Sequence, residues 1–262
     1  MATERMAFRR AVAMGFDTPT QLRVGWSDQA LMATQPIPSD VAGHDPKFHV
    51  RGKHDPVTAR VRLDRFGRKA REGDRLRESP GGKPLTLMMG STPSNRDRER
   101  DESWKRSMRD IGIRIDFVKL MFPVLLTMLR AGQLISWPVG SITSHAEGDS
   151  FAQLLNFRNI GQSNYARFRN NEYDGLYVRS KRLLEGTGRN KLFAWKAEIV
   201  SAYAPPGLGV DVCENTLARP RVQGNVTNGF WKPPWKYYDV LPNGGRIAKS
   251  PLCASVRANW AR

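Results

Sequence analysis

The chain has 262 residues, 40% of them hydrophobic and 9% aromatic, which is enough to bury a core and excludes wholesale disorder, a coiled coil or a collagen-like chain. Its formal net charge of +17 favours anionic neighbours such as nucleic acid, acidic lipid headgroups or an acidic protein. Two cysteines are too few for a disulfide framework or a zinc site, and no apolar run reaches the roughly 18 residues that a membrane-spanning helix needs.

The first third of the chain predicts short helices separated by irregular segments. Residues 5–14 carry apolar side chains at helical spacing, and Asp17-Thr18-Pro19 indicates that one helix stops and another starts. Four prolines between residues 34 and 56 predict an irregular surface segment, because proline continues neither a helix nor a central strand. Residues 58–66 then predict a short basic helix.

From Lys83 onward the pattern alternates between strands and helices. The predicted elements are a strand at 85–89, a helix at 94–111 capped by Ser94, a strand at 113–118, a helix at 122–130 and a strand at 134–139. This rhythm is typical of an α/β unit with largely parallel strands, whose ligands bind in the loops beyond the carboxyl ends of the strands.

The rest of the chain predicts three more helices and a break. Asp149 is a candidate N-cap for a short helix through Leu155, and further helices are predicted at 172–184 and 188–202. Pro205-Pro206-Gly207 ends that pattern and precedes a strand-like segment at 208–212.

A search for catalytic and metal-binding patterns is negative. The chain has no phosphate-binding GxxxxGK[ST], no HExxH, no CxxC, no GxSxG and no dinucleotide-binding glycine pattern. Its histidines, at positions 44, 49, 54 and 145, all fall in predicted loops. We therefore predict a protein that is not an enzyme and that needs neither a cofactor nor a metal.

One segment has the composition of a small-molecule or peptide cleft. Residues 137–151 leave a predicted strand at its carboxyl end and offer hydroxyl and imidazole groups beside an indole; the candidate ligand-binding residues are Trp137, Ser141, Ser144 and His145. The basic stretch between Arg51 and Arg77 suggests an alternative, a nucleic-acid-associated protein. Its basic residues are interspersed with acids and lack an aromatic stacking platform, which favours an ordinary solvated surface.

Several ordered segments resemble one known family. They are FRRAVAMGFD (8–17), QPIPSDVAGHDPKF (35–48), DPVTARVRLDRFG (55–67), GGKPLTLMMGSTPSNRDRERDESWKRSMRDIGIRIDFVK (81–119), GDSFAQLL (148–155), IGQSNYARFRNNEYDGLY (160–177) and AYAPPGLGV (202–210). Together they resemble the C-terminal half of the family 5 extracellular solute-binding proteins, the dipeptide and oligopeptide receptors of bacterial ABC importers. The resemblance implies an α/β fold: the second lobe of a type II periplasmic-binding-protein-like fold, in truncated form.

The resemblance also implies a function and a division of the chain. Residues 1–205 would form the solute-binding lobe, 206–240 a return toward the first lobe, and 241–262 a disordered tail. The lobe would bind a peptide or related small molecule and deliver it to a membrane permease complex, in the periplasm, although no signal peptide is visible in this chain. A product that lacks the first lobe and has no function remains an alternative.

The resemblance assigns roles to the candidate residues as well. Trp137 would form an apolar wall, and Ser141, Ser144 and His145 would supply hydrogen bonds. Ser144 matches the position at which peptide-binding members carry an Asp that pairs with the α-amino group of the ligand. A neutral Ser cannot supply that charge-assisted bond, which is worth about 1.5–3 kcal/mol.

Overall fold

The computed structural model describes residues 2–49, 53–70, 76–141, 147–203, 208–213, 217–219, 221–224 and 238–240. Its α-helices are α1 (Ala2–Gly15), α2 (Thr18–Trp26), α3 (Pro56–Arg65), α4 (Asn95–Asp110), α5 (Phe122–Ala131), α6 (Asp149–Ala152), α7 (Asn171–Ser180) and α8 (Thr187–Tyr203). Its strands are β1 (Ala30–Met32), β2 (Thr86–Ser91), β3 (Arg114–Lys119), β4 (Val210–Val212), β5 (Val222–Gln223) and β6 (Asp239–Val240), and short 3-10 turns lie at Gln153–Leu155 and Phe157–Asn159.

The chain divides into two compact units. The first unit comprises residues 1–142 and 146–213, and the second comprises 143–145 and 214–262. In the second unit, β5 and β6 pair antiparallel, with Val222 opposite Val240. The break predicted at Pro205-Pro206-Gly207 and the tail predicted at 241–262 lie outside the described residues.

The predicted parallel sheet is present in the first unit, but its third strand is much shorter than expected. β2 and β3 pair in parallel from Thr86 opposite Arg114 to Ser91 opposite Lys119, with α4 as the crossover between them. The segment 134–139 forms only one parallel bridge, in which the Gly90 N–H donates to the Ser136 carbonyl at 2.8 Å. Pro138 shortens the pairing because it has no N–H to donate to a ladder.

Helices α1, α3 and α4 bury the core of this sheet. The central side chains are Ala11, Ala59, Leu63, Leu87, Met89, Met108, Ile111, Ile113 and Ile115. In β3, Ile115 is buried between the exposed Arg114 and Asp116, as the alternating sequence predicts. Phe16 and Trp104 close one side of the core by stacking with their ring centroids 4.0 Å apart.

The predicted helices are all present, with ends shifted by a few residues. Ser94 caps α4 as predicted, because its side chain accepts a hydrogen bond from the Asp97 N–H. The helix predicted at 172–184 ends earlier, at Ser180. The strand predicted at 208–212 is confirmed over Val210–Val212, which is β4. It pairs antiparallel with β1, a strand that the sequence did not predict.

The role predicted for Asp149 is wrong. Gly148 occupies the N-cap position of α6, and Asp149 is the first helical residue. Its carboxylate accepts hydrogen bonds from Arg189 Nη2 at 2.7 Å and Ser180 Oγ at 3.0 Å, and Lys196 Nζ lies 3.5 Å away. Asp149 therefore links α6 to α7 and α8 through a buried ionic network rather than capping its own helix.

Candidate functional site

Three loops leave the first unit's sheet at the same edge. β2 ends at Ser91, β3 ends at Lys119, and the bridge residue Ser136 is followed directly by Trp137. Because all three segments run in parallel, their carboxyl ends meet at one edge, which is where open α/β sheets bind ligands. We call this region the carboxyl edge and define it by residues 91–94, 119–124 and 136–141.

An aromatic wall stands at the carboxyl edge. The half-buried indole of Trp137 lies 5.2 Å from the ring of Phe122, measured between centroids, at an interplanar angle of 58°. Phe122 is 50% exposed, and its neighbours Met121 and Val124 are 64% and 47% exposed. This exposed apolar surface is of the kind that contacts ligands or partner proteins.

The wall rests on a close approach of the indole to β2. A Cβ atom at Gly90 would lie 3.2 Å from Trp137 and 3.1 Å from Leu125, so the bare glycine backbone leaves the space that the indole occupies. Leu125, Leu129 and Leu134 form the buried base beneath the wall. The indole of Trp137 is therefore fixed to a packed layer.

The first polar cluster of the carboxyl edge ties β2 to α4. Ser91 is fully buried, and its hydroxyl donates to Asp101 Oδ2 at 2.7 Å. The Asp101 carboxylate is 3% exposed, and Lys119 Nζ, at the end of β3, lies 3.5 Å from it. Asp101 thus has both a hydrogen-bond donor and a positive charge beside it, and it holds the strand ends together.

A second carboxylate fixes the loop after β2. The Thr92 N–H donates to Asp97 Oδ2 at 2.9 Å, and Arg100 Nη2 lies 2.9 Å from Asp97 Oδ1. Burial acts to raise the pKa of Asp97, but hydrogen bonds from Thr92 and the charge of Arg100 outweigh it and hold the pKa below its ordinary value. Asp97 and Asp101 are therefore both engaged within the protein.

The structure describes two of the four predicted site residues, and it tests the binding role of none of them. Trp137 lies at the carboxyl edge, and Ser141 is exposed four residues later on the same loop. Ser144 and His145 lie outside the described residues, and the roles of all four residues stay predictions. Sequence reasoning missed Phe122 and Gly90, although the position of Phe122 just beyond the predicted strand at 113–118 was a usable signal.

A second cluster of ionisable side chains lies in the core and is structural. Lys196 and Ser180 are 3% and 0% exposed, and Lys196 Nζ donates to Ser180 Oγ at 2.9 Å. Burial lowers the pKa of Lys196 to about 8, although the charge of Asp149 acts in the opposite direction. A Ser–Lys pair can serve as a nucleophile, but this hydroxyl is inaccessible to a substrate.

Two further properties concern metals and membranes. Among the described residues, no group of three or more His, Cys, Asp or Glu side chains is placed to hold a metal ion. Of the helices described above, none combines the length and the apolar character required to span a membrane.

Solved structures with a similar fold include periplasmic binding proteins. HbpA2 from Haemophilus parasuis matches at a TM-score of 0.72 and 19% identity, over 90% of this chain and 45% of that one. The ABC transporter-associated periplasmic binding protein DppA from Helicobacter pylori, in complex with the peptide STSA, matches at 0.73 and 18%, over 90% and 44% of the two chains. The oligopeptide-binding protein AppA from Bacillus subtilis, in complex with a nonapeptide, matches at 0.69 and 15%, over 79% and 42%.

These matches test the resemblance that the sequence suggested. No protein-family model and no curated protein matches the chain. The chain spans less than half the length of the solved structures that it matches. Those structures are binding proteins, and the comparisons give no support to the nucleic-acid-associated alternative. The chain has the fold of a type II periplasmic binding protein, and it corresponds to less than half the length of the proteins with that fold. Its structural neighbours are the oligopeptide- and dipeptide-binding proteins of family 5.

Proposed function

We propose that the chain is a lobe of the solute-binding component of an ABC-type uptake system, and that it holds the solute against the carboxyl edge. The observation that carries the proposal is the aromatic wall of the half-buried Trp137 and the exposed Phe122, at the edge where this class of sheet binds ligands. The fold shared with peptide-bound DppA and AppA supports the same assignment. A second lobe and a membrane permease are the proposed partners, and the periplasm is the proposed location.

The charged groups at and beside the carboxyl edge indicate which chemical class of solute this edge could bind. Asp97 and Asp101 are already paired with groups of the protein, so neither is available to fix a ligand's ammonium group. Lys119, 51% exposed, adds a positive charge to the same edge. We therefore propose a solute with an apolar surface and hydrogen-bonding groups, whose binding does not depend on an amine–carboxylate pair.

The proposed affinity of this lobe alone is weak. A typical pocket buries about 70–90% of its ligand's surface, and one wall covers roughly half as much. A single wall also does not exclude water as closure of two lobes does. Peptide binding by the 262-residue chain alone should be no tighter than roughly millimolar, about −4 kcal/mol.

The test is a titration of the isotope-labelled full chain with short apolar peptides and uncharged apolar solutes, followed by amide NMR. We expect shifts at residues 90–92 and 119–124 that saturate in the millimolar range, and the loss of those shifts in Phe122→Ala. Trp195→Ala is the matched control, because Trp195 is 52% exposed but lies on α8, outside the carboxyl edge. Equal losses in the two variants, shifts confined to other surfaces, or micromolar peptide binding would overturn the proposal.

A further inference from the structure

A groove with no role in the proposed function runs between α1 and α3. Its volume is about 400 Å³, and the residues that shape it include Met6, Arg10, Val61, Arg62, Arg65 and Phe66. Small-molecule sites in proteins span roughly 300–1,000 Å³, so the groove has room for one small ligand. None of its residues belongs to the carboxyl edge.

The groove concentrates positive charge. Arg62 and Arg65 are one helical turn apart on α3, and Arg10 lies across from them on α1. No acidic side chain is among the described residues that line it. The nearest carboxylate in the α3 sequence, Asp64, forms a salt bridge with Arg77 instead.

One donor of the groove lacks a partner. Arg62 Nε is buried, yet it has no hydrogen-bond acceptor within the part of the chain that the structure describes. A buried donor without an acceptor is unfavourable, because it has lost its hydrogen bonds to water. A guanidinium such as that of Arg62 can hold a carboxylate or phosphate through two parallel hydrogen bonds.

Apart from Thr58, the remaining lining of the groove is apolar. Met6 and Phe66 contribute thioether and aromatic surface, and Val61 is 60% exposed on the same side of α3 as Arg62 and Arg65. A bare inorganic anion would leave this surface in water. The lining therefore complements a molecule with both a negative head and an apolar body.

We propose that the α1–α3 groove is a binding site for a small organic anion that carries an oxyanion head and a short apolar tail. The arginines contact the head, and Met6, Val61 and Phe66 contact the tail. This site is independent of the solute site at the carboxyl edge, so it can stand whether or not the chain acts in uptake.

Ligand chemistry provides the first test. The full chain is titrated by calorimetry with octanoate and octyl phosphate, which share the proposed features, and with inorganic phosphate, octanol and octyltrimethylammonium, each of which lacks one. We expect the two amphiphilic anions to bind at least about tenfold tighter than the other three, a difference of about 1.4 kcal/mol. Similar affinity for octanol or octyltrimethylammonium would overturn the proposal, as would binding to phosphatidylglycerol vesicles without binding to either soluble anion.

Paired substitutions provide the second test. Val61 and Val57 are both 60% exposed on α3, but only Val61 lines the groove. Val61→Asp should weaken octanoate binding at least about tenfold, whereas Val57→Asp should change it less than about twofold. Arg62→Gln should weaken octanoate binding as Val61→Asp does. Its control is Arg106→Gln, which removes an exposed charge on α4 and should not weaken the binding. With helical content confirmed by circular dichroism, equal effects within either pair would contradict the site.

Discussion

Lys196 is a buried amine whose ionisation is linked to folding. Its Nζ lies 2.9 Å from Ser180 Oγ, 3.5 Å from Asp149 Oδ1 and 4.1 Å from the centre of the Phe193 ring, and the residue is only 3% exposed. Burial lowers its pKa from the ordinary 10.5 to about 8 despite the nearby carboxylate. Replacing Lys196 with Met keeps a similar length and removes the titrating group.

The sign and size of the linkage follow from these two pKa values. Below pH 8 the amine is protonated in both states, so it contributes no pH dependence. Between pH 8 and 10.5 the unfolded chain holds more protons than the folded one, so the free energy of unfolding rises with pH. Since one pKa unit corresponds to about 1.4 kcal/mol, the rise contributed by Lys196 is at most about 3–4 kcal/mol.

The assay is urea unfolding of the wild-type chain, Lys196→Met and the control Lys191→Met at pH 7, 8, 9 and 10. Lys191 is exposed on the same helix, so its replacement changes the net charge equally. Relative to Lys196→Met, the wild-type chain should gain about 2 kcal/mol or more between pH 7 and 10, and relative to Lys191→Met it should gain almost nothing. A wild-type advantage that is constant or falls with pH would refute the assignment of this pKa to Lys196.

Three other substitutions test the packing directly. Asp149→Ala leaves the buried Lys196 without its carboxylate and Arg189 with only the half-exposed Glu147, and it should lower the free energy of unfolding by about 3–5 kcal/mol; a loss below 1 kcal/mol in chemical denaturation would contradict the buried network. Gly90→Ala places a methyl group against Trp137 and should cost about 1–3 kcal/mol while changing the near-ultraviolet circular dichroism of the indole; an unchanged spectrum would speak against the close approach. Ser94→Ala removes the cap of α4 and should cost about 1 kcal/mol, which a melting curve can check against Ser94→Asp, where the cap is kept.

The sequence was sufficient for elements that depend on local periodicity. The helix predicted at 94–111 and the alternation of Arg114, Ile115 and Asp116 each carry their own signal, because burial on one face repeats with the period of the element. The parallel pairing of β2 with β3 follows from the intervening helix and the handedness of such crossovers.

The remaining features depend on contacts between distant residues. Nothing near Asp149 indicates that Arg189 and Lys196 reach it from α8, and a cap and a buried ion pair use the same residue type at the same helix end. At the candidate site, position after a strand identified Trp137. Its packing over Gly90 and beside Phe122 could not be read from any local pattern, because it joins three separate segments.

The pairing of β1 with β4 has a consequence for the order of events during translation. Val210–Val212 leaves the ribosome about 180 residues after Ala30–Met32, which is roughly 10–40 s at bacterial and eukaryotic synthesis rates. For that interval β1 lacks the strand that will cover it, and an uncovered strand can pair with a neighbouring nascent chain. Because β1 has only three residues, it offers few backbone groups for such pairing during the time in which β4 has not yet been synthesised.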